Sequence, residues 1–174
     1  MKKSILIIGV GGSGKSTLVE ELKNHGYKAY DLENINGLFC MIHKTTKKIY
    51  KKYNNDDLES VKQGDWICNK KKLERLIKMN SKGTVFYCGV SSNLDELRPL
   101  FDKIFLLRIN FKTLCKRLSA RPVGDFGRTS GVQKWILSWK DWWENDMCKK
   151  GAIPINANRN LQKIARDIIK KAKQ

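Results

Sequence analysis

Short apolar runs and helical apolar spacing take turns along this chain. Residues 4–8 (SILII) form an apolar run with the length and branching of a buried strand. Leu18, Val19 and Leu22 then recur at helical spacing. Residues 27–32 (YKAYDL) read as a second strand, and 69–80 as a helix with a core face of Leu73, Leu76 and Ile77. Residues 83–89 (GTVFYCG) and 103–109 (KIFLLRI) are further strands. Between them a short helix starts near residues 91–96, where Asn93 and Glu96 have the spacing of a capping box. Residues 111–120 carry Leu114 and Leu118 on one helical face. A long helix is expected over 130–149 and a last strand over 152–155. The closing helix buries Leu161, Ile164, Ala165, Ile168 and Ile169. Such alternation predicts an α/β domain. Residues 34–68 break the rhythm; Gly37-Leu38-Phe39 reads as the opening of a short helix.

The turn between the first strand and helix is Gly9-Val10-Gly11-Gly12-Ser13-Gly14-Lys15-Ser16-Thr17. Strand, glycine-rich turn and helix, with G-x-x-x-x-G-K-S complete over 9–16, is a phosphate-binding P-loop. Glycines let successive N–H groups converge on one concavity, and the helix N-terminus adds partial positive charge. Lys15 would reach β- and γ-phosphates, and the Ser16 hydroxyl would ligate Mg²⁺. The same stretch reads G-x-G-x-x-G through Gly9, Gly11 and Gly14, with Asp31 near the distance of a ribose-binding acid. That dinucleotide reading leaves Lys15 and Ser16 without a use.

Asp31 and Glu33 close the second strand, on the carboxyl side of the sheet where ligands bind in open α/β folds. Asp31 could accept a hydroxyl proton or hold a metal-bound water, and both acids could equally cap a helix. Residues 34–68, with lysines at 44, 47, 48, 51 and 52, are expected to cover a substrate. A solvated charged face is the plain alternative. Arg117, Arg121 and Arg128 fall within twelve residues around a glycine-bearing loop, 121–130, the makings of a lid. Trp135, Trp139 and Trp142 recur at i, i+4 and i+7 with Trp143 beside them. Core packing explains them most simply, base stacking being the other reading.

The chain has 174 residues, enough for one domain, and a net charge of +18 from lysines spread along its length. A basic surface admits nucleic acid as a partner, but dispersed lysines are also what an AT-rich genome encodes, so nucleic acid is not favoured. Five scattered cysteines without a C-x-x-C pair suggest neither zinc nor disulfides, and point to a reduced, cytoplasmic protein. No run of 18 apolar residues suggests a membrane span. No secretory leader is expected ahead of the first strand.

These features together resemble the small P-loop kinases of the nucleoside and nucleotide kinase superfamily, near the adenylate-kinase and shikimate-kinase branches. The resemblance rests on the P-loop, the pair Asp31/Glu33, the L-x-x-R-L-x-x-R run at Leu114, Arg117, Leu118 and Arg121, and the final Ile155-Asn156-Ala157. Residues 88–97 and 125–129 look like a subgroup often described as AAA-family ATPases or predicted kinases. The resemblance implies a three-layer α/β fold with a five-stranded parallel sheet in the order 2-3-1-4-5, and ATP with Mg²⁺ as cofactors. It implies phosphate binding by Gly9, Gly11, Gly12, Ser13, Gly14, Lys15, Ser16 and Thr17. Arg117, Asn156 and Ala157 would meet adenine, Arg121 and Arg128 would clamp phosphates, and Asp31, Glu33 and Gly89 would meet the acceptor. The chain departs from these relatives in two places. The third strand ends Cys88-Gly89 without their Asp-Gly or triple glycine, and their substrate arginines after strand two are replaced by lysines and aromatics. The implied activity is transfer of the ATP γ-phosphate to a small hydroxyl- or phosphate-bearing molecule: a nucleoside, a nucleotide or a shikimate-like metabolite. A polynucleotide 5′-kinase and a non-catalytic nucleotide- or nucleic-acid-binding module are the alternatives.

Overall fold

In the computed structural model, which describes residues 3–80 and 82–174, five strands form one parallel sheet. They are β1 (Lys3–Ile8), β2 (Lys28–Asp31), β5 (Thr84–Cys88), β6 (Lys103–Arg108) and β7 (Ile153–Asn156). Their spatial order is β2-β5-β1-β6-β7, the order 2-3-1-4-5 once the main-sheet strands are counted alone. All four pairings are parallel, with Ile7 opposite Cys88 and Asp31 opposite Cys88 on its other side. The central strand is apolar on both faces because helices cover both. Its period of two sorts the core into two layers. Ile5 and Ile7 join Phe86, Phe105, Leu18 and Leu22 on one face. Leu6 and Ile8 join Tyr87, Leu106 and Leu73 on the other.

The first layer is closed by α1 (Lys15–Asn24), α5 (Phe111–Ser119) and α7 (Leu161–Lys173). The second is closed by α3 (Lys70–Met79) and the short α4 (Leu94–Leu97). Helix α6 (Ser130–Lys149) contributes to both: Val132 and Ile136 to the first, Met147 to the second. Side chains start several helices by accepting a backbone N–H: Asn69 for α3, Asn110 for α5 and Thr129 for α6. Asn93 does not cap α4. Its amide instead bonds the backbone N–H and C=O of Cys68 at 3.0 and 3.1 Å, tying down the insertion.

That insertion differs from its sequence-based reading. No helix opens at residues 37–39. Gly37 turns with φ 68°, and β3 (Phe39–His43) pairs antiparallel with β4 (Gly64–Cys68). The deciding contacts are remote in sequence: Phe39 stacks on Trp66 at 5.2 Å, and Met41 pairs with it across the ladder. Between these strands α2 (Leu58–Gln63) is capped by Asp57, and buried Val61 packs into the first layer.

Phe86 is fully buried in the middle of the sheet, whereas Phe111 is 62% exposed at the start of α5. Phe86→Ala should cost about 3–5 kcal/mol of unfolding free energy. Phe111→Ala should cost about 0.5 kcal/mol or less. Urea denaturation of the two variants checks the contrast.

Candidate active site

The chain leaves β1 through a turn that only glycines follow. Gly12 and Gly14 have φ of 87° and 100°. A Cβ on Gly12 would stand 3.0 Å from methyls of both Leu114 and Leu118, so the loop lies directly on α5. No side chain caps α1, which leaves its first-turn N–H groups free to meet an anion. The Ser13 hydroxyl is buried without a hydrogen-bond partner among the described residues. Ser16 and Thr17 are exposed and line the cleft above the loop. Lys15 is only 9% exposed. Its ammonium donates to Gly9 O at 2.8 Å and Val10 O at 3.5 Å, and stands 3.5 Å from Glu33 Oε1.

The two acids arrive from the neighbouring strand. β2 ends at Asp31, whose Oδ2 accepts from Asn34 Nδ2 at 2.9 Å. Glu33 follows in a 3-10 turn, and its Oε1 accepts the Val90 N–H at 3.2 Å. Both line the same cleft as Lys15. Gly89 does not. It is buried beneath them, where a Cβ would lie 3.1 Å from that of Leu32, so its service is to let β5 end against the turn carrying Glu33. Burial pushes the neighbouring Cys88 thiol well up, helped by Asp31 and opposed by Lys15, so it stays protonated and is no nucleophile.

The arginines divide. Arg117 donates to Gly12 O and Ser13 O, both at 3.3 Å, and lines the cleft. Arg121 bonds Phe126 O and also lines it; a Cβ on Gly11 would meet the Phe126 ring at 3.2 Å. Arg128 points elsewhere. Its Nε donates to Arg121 O at 2.8 Å, and it stays exposed outside the cleft lining, bracing the loop. Ala157 lines the cleft with Arg159, whereas Asn156 faces a second cavity of about 620 Å³. The insertion closes over the loop through Asn55, whose Nδ2 donates to Gly124 O at 3.0 Å.

Part of the cleft is aromatic. Tyr53 and Trp66 line it from the insertion, and Trp135, Trp139, Trp142 and Trp143 from α6. Trp135, Trp139 and Trp143 are half-buried and pack against the first apolar layer while lining the cleft, whereas the buried positions of α6 are Val132, Gln133, Ile136, Lys140, Glu144 and Met147, and Trp142 is 69% exposed. The signal was present in their helical spacing, but spacing alone does not say which of the four stays exposed. The whole cleft encloses about 1320 Å³, more than a single drug-sized ligand fills. No cluster of three metal-ligating side chains exists among the described residues.

A five-stranded parallel sheet with a glycine cradle, a buried lysine and two acids at its carboxyl edge defines a P-loop nucleotide-binding domain of the small-kinase type. The chain belongs to the AAA domain family, whose model matches residues 5–134. It is 31% identical over 124 residues to the adenylate kinase isoenzyme 6 homolog of Plasmodium falciparum (isolate 3D7). That match takes in 68% of this chain and 65% of the relative, so the chain spans just under two thirds of that protein's length. Among solved structures, deoxyadenosine kinase from M. mycoides with bound dATP aligns with a TM-score of 0.57 at 14% identity, covering 98% of this chain and 99% of that one. A gluconokinase from Sinorhizobium meliloti 1021 aligns with a TM-score of 0.55 at 18% identity, covering 98% and 91%. At such identities the likeness is one of fold. No helix among the described residues is long and apolar enough to cross a membrane.

One charged contact at the cleft wall joins a lysine to two acids. Lys150 donates to Asp95 Oδ2 at 2.7 Å and lies 2.9 Å from Asp146 Oδ2. The Lys150 hydrogen bond holds the Asp95 carboxyl below its ordinary 3.8, and Asp95 followed by Asp146 raises the Lys150 ammonium above 10.5. A lowered acid stabilises the fold above its unfolded pKa, and that gain is lost as pH falls through the folded value. A raised base stabilises below its unfolded pKa, and the gain is lost as pH rises through the folded value. Wild type should therefore exceed Asp95→Asn in denaturation midpoint by a small, constant margin from about pH 5 to pH 9. The margin should shrink below that range and again above it, as read in midpoints across a pH series.

Proposed function

We propose that this protein is an ATP-dependent kinase that transfers the γ-phosphate to a small acceptor. The observation that carries this reading is one cleft that holds the P-loop amides, the Lys15 ammonium and the carboxylates of Asp31 and Glu33. The amides and the α1 N-terminus would hold the β- and γ-phosphates. Lys15, now on the Gly9 and Val10 carbonyls, would turn to them. Arg117 and Arg121 lie close enough to the loop to meet charge developing on the transferred group. Asp31 would orient the acceptor hydroxyl and take its proton.

The residues fit Mg²⁺ in the manner of a nucleotide-borne ion. Ser16 stands at the cleft, and no separate carboxylate cage is needed when phosphates and waters complete the shell. When bound, Mg²⁺ would neutralise phosphate charge. The lysines at 44, 47, 48, 51 and 52 are exposed and absent from the cleft lining, which favours a small acceptor over a polynucleotide.

ATP with Mg²⁺ should raise the Tm, since it binds the native state alone. Lys15→Ala should remove most of the shift in a thermal melt. A shift with NADH and none with ATP would give the site to a dinucleotide instead. Asp31→Asn should retain ATP affinity while turnover falls about 10²-fold or more. Coupled ADP release together with calorimetric ATP titration measures both, and turnover near wild type would reduce Asp31 to a structural acid.

A further inference from the structure

Along the sequence the lysines are dispersed, but the insertion folds five of them together. After β3 the chain reverses and returns beside the same strand. His43 N donates to Lys48 O and Tyr50 N to Met41 O, both at 2.9 Å, and Ile49 bridges Ile42. Residues 48–50 thus add a third rung to the β3–β4 hairpin. Residues 44–52 hold Lys44, Lys47, Lys48, Lys51 and Lys52 and no acid, and all five lysines are exposed. Lys44 Nζ donates to Lys62 O at 2.6 Å, and Lys47 Nζ stands 3.7 Å from Asp65. The ammoniums of Lys48, Lys51 and Lys52 have no partner among the described residues. The other acids of the insertion do not neutralise them. Asp57 caps α2, Glu59 pairs with Lys62 at 2.8 Å, and Asp56 pairs with no lysine among the described residues.

The turn that gathers these charges is held in place. Lys47 has φ 55° and is the one non-glycine with positive φ among the described residues. Such a conformation persists where its surroundings impose it. Here His43 does so: its Nδ1 accepts the N–H groups of Thr45 and Thr46 at 3.2 and 3.4 Å. The ring proton is thereby left on Nε2, which donates to Gln63 Oε1 at 3.3 Å. Aromatic rings lie among the lysines. Half-buried Tyr50 meets His43 edge-on with centroids 4.9 Å apart, and Tyr53 at 5.8 Å. Ile49 beside it is 68% exposed.

We propose that this hairpin tip is a docking surface for single-stranded nucleic acid. The phosphodiester backbone lies on Lys48, Lys51 and Lys52, and an unpaired base lies against Tyr50 and Ile49. Ammoniums interleaved with rings match a strand that offers both charge and flat apolar faces. A duplex keeps its bases stacked and leaves the ring without a use. An anionic lipid surface calls for a broader apolar face than one isoleucine. None of the five lysines lines the cleft, so the strand is a partner held outside it and not the phosphoryl acceptor.

The test titrates the full chain into a fluorescent thymidine strand of about twelve nucleotides, read by anisotropy from about 50 to 200 mM salt. The titration is run with and without saturating Mg-ATP, which should change the affinity by about two-fold or less. Replacing Lys48, Lys51 and Lys52 together by glutamine should lower the slope of log affinity against log salt by about two, the sum of three released counterions. Lys71→Gln, Lys163→Gln and Lys170→Gln together remove the same charge from α3 and α7 and should lower the slope by about one or less. Tyr50→Leu should weaken binding about ten-fold, and Tyr50→Phe, which keeps the ring, should bind as the wild type does. A duplex of the same length and vesicles of anionic phospholipid should bind about five-fold more weakly or worse. Equal losses in the two triple variants overturn the assignment, leaving dispersed charge alone. Competition by Mg-ATP overturns it by moving the strand into the cleft. Preference for duplex or vesicles gives the surface to another partner. A Tyr50→Leu variant that binds normally, or a Tyr50→Phe variant that does not, removes the base contact and the single-strand reading with it.

Discussion

A lysine ammonium held in a nearly closed space at the end of a buried strand is the constraint on which the molecule turns. Burying such a charge is costly unless oxygens surround it. Here they are the carbonyls of Gly9 and Val10, with Glu33 across the gap. Bringing those carbonyls round requires left-handed turns at Gly12 and Gly14, and the turn fits only because α5 presents leucine methyls beneath it. Glu33 is in place because β2 pairs with β5 and Gly89 lets the two chain segments approach. Strand order, glycine positions and the packing of α5 are thus set by the surroundings of one amino group.

The second organising feature is the insertion after β2. Its hairpin is anchored at both ends of the cleft. The Asn93 amide and the Trp66–Ser92 bonds hold it to the segment after β5, while Asn55 reaches the loop before α6. Arg128 serves that loop from outside, bonding the Arg121 carbonyl while Gln133 bonds its own. A residue that resemblance would send to the phosphates is here a brace for the arginine that does line the cleft.

The strands of the sheet and the cradle were legible in the sequence because each is written locally or in period, whereas the strand order came only through the family resemblance. Apolar runs such as 103–109 have one plausible state, and G-x-x-x-x-G-K-S leaves few choices for its backbone. The hairpin was not legible, since Phe39 becomes strand only by meeting Trp66, twenty-seven positions later. Asn93 looked like a cap and became a tie to Cys68 for the same reason. The α6 tryptophans show a subtler limit. Their spacing marks one face of a helix, yet the buried face carries Lys140 and Glu144, which burial tolerates because they pair with each other at 3.0 Å and Arg108 joins them. Spacing placed Trp135, Trp139 and Trp143 correctly against the core, where they are half-buried, but it did not show that the fully buried positions beside them are charged or that Trp142 stands exposed.

The passage of α6 from one apolar layer to the other has a consequence for how this chain loses its structure. The strands already join the two layers, since β1 gives Ile5 and Ile7 to one and Leu6 and Ile8 to the other, and α6 adds a second tie. Here Val132 and Ile136 are fixed in the first layer, Met147 in the second, and Trp143 touches both. Twenty residues of continuous helix, about 30 Å, would have to break midway for the layers to part. The helix is thus a cross-tie that makes the two halves of the core a single cooperative unit, and partial unfolding is confined to what lies outside it: the hairpin tip and the loop over the P-loop.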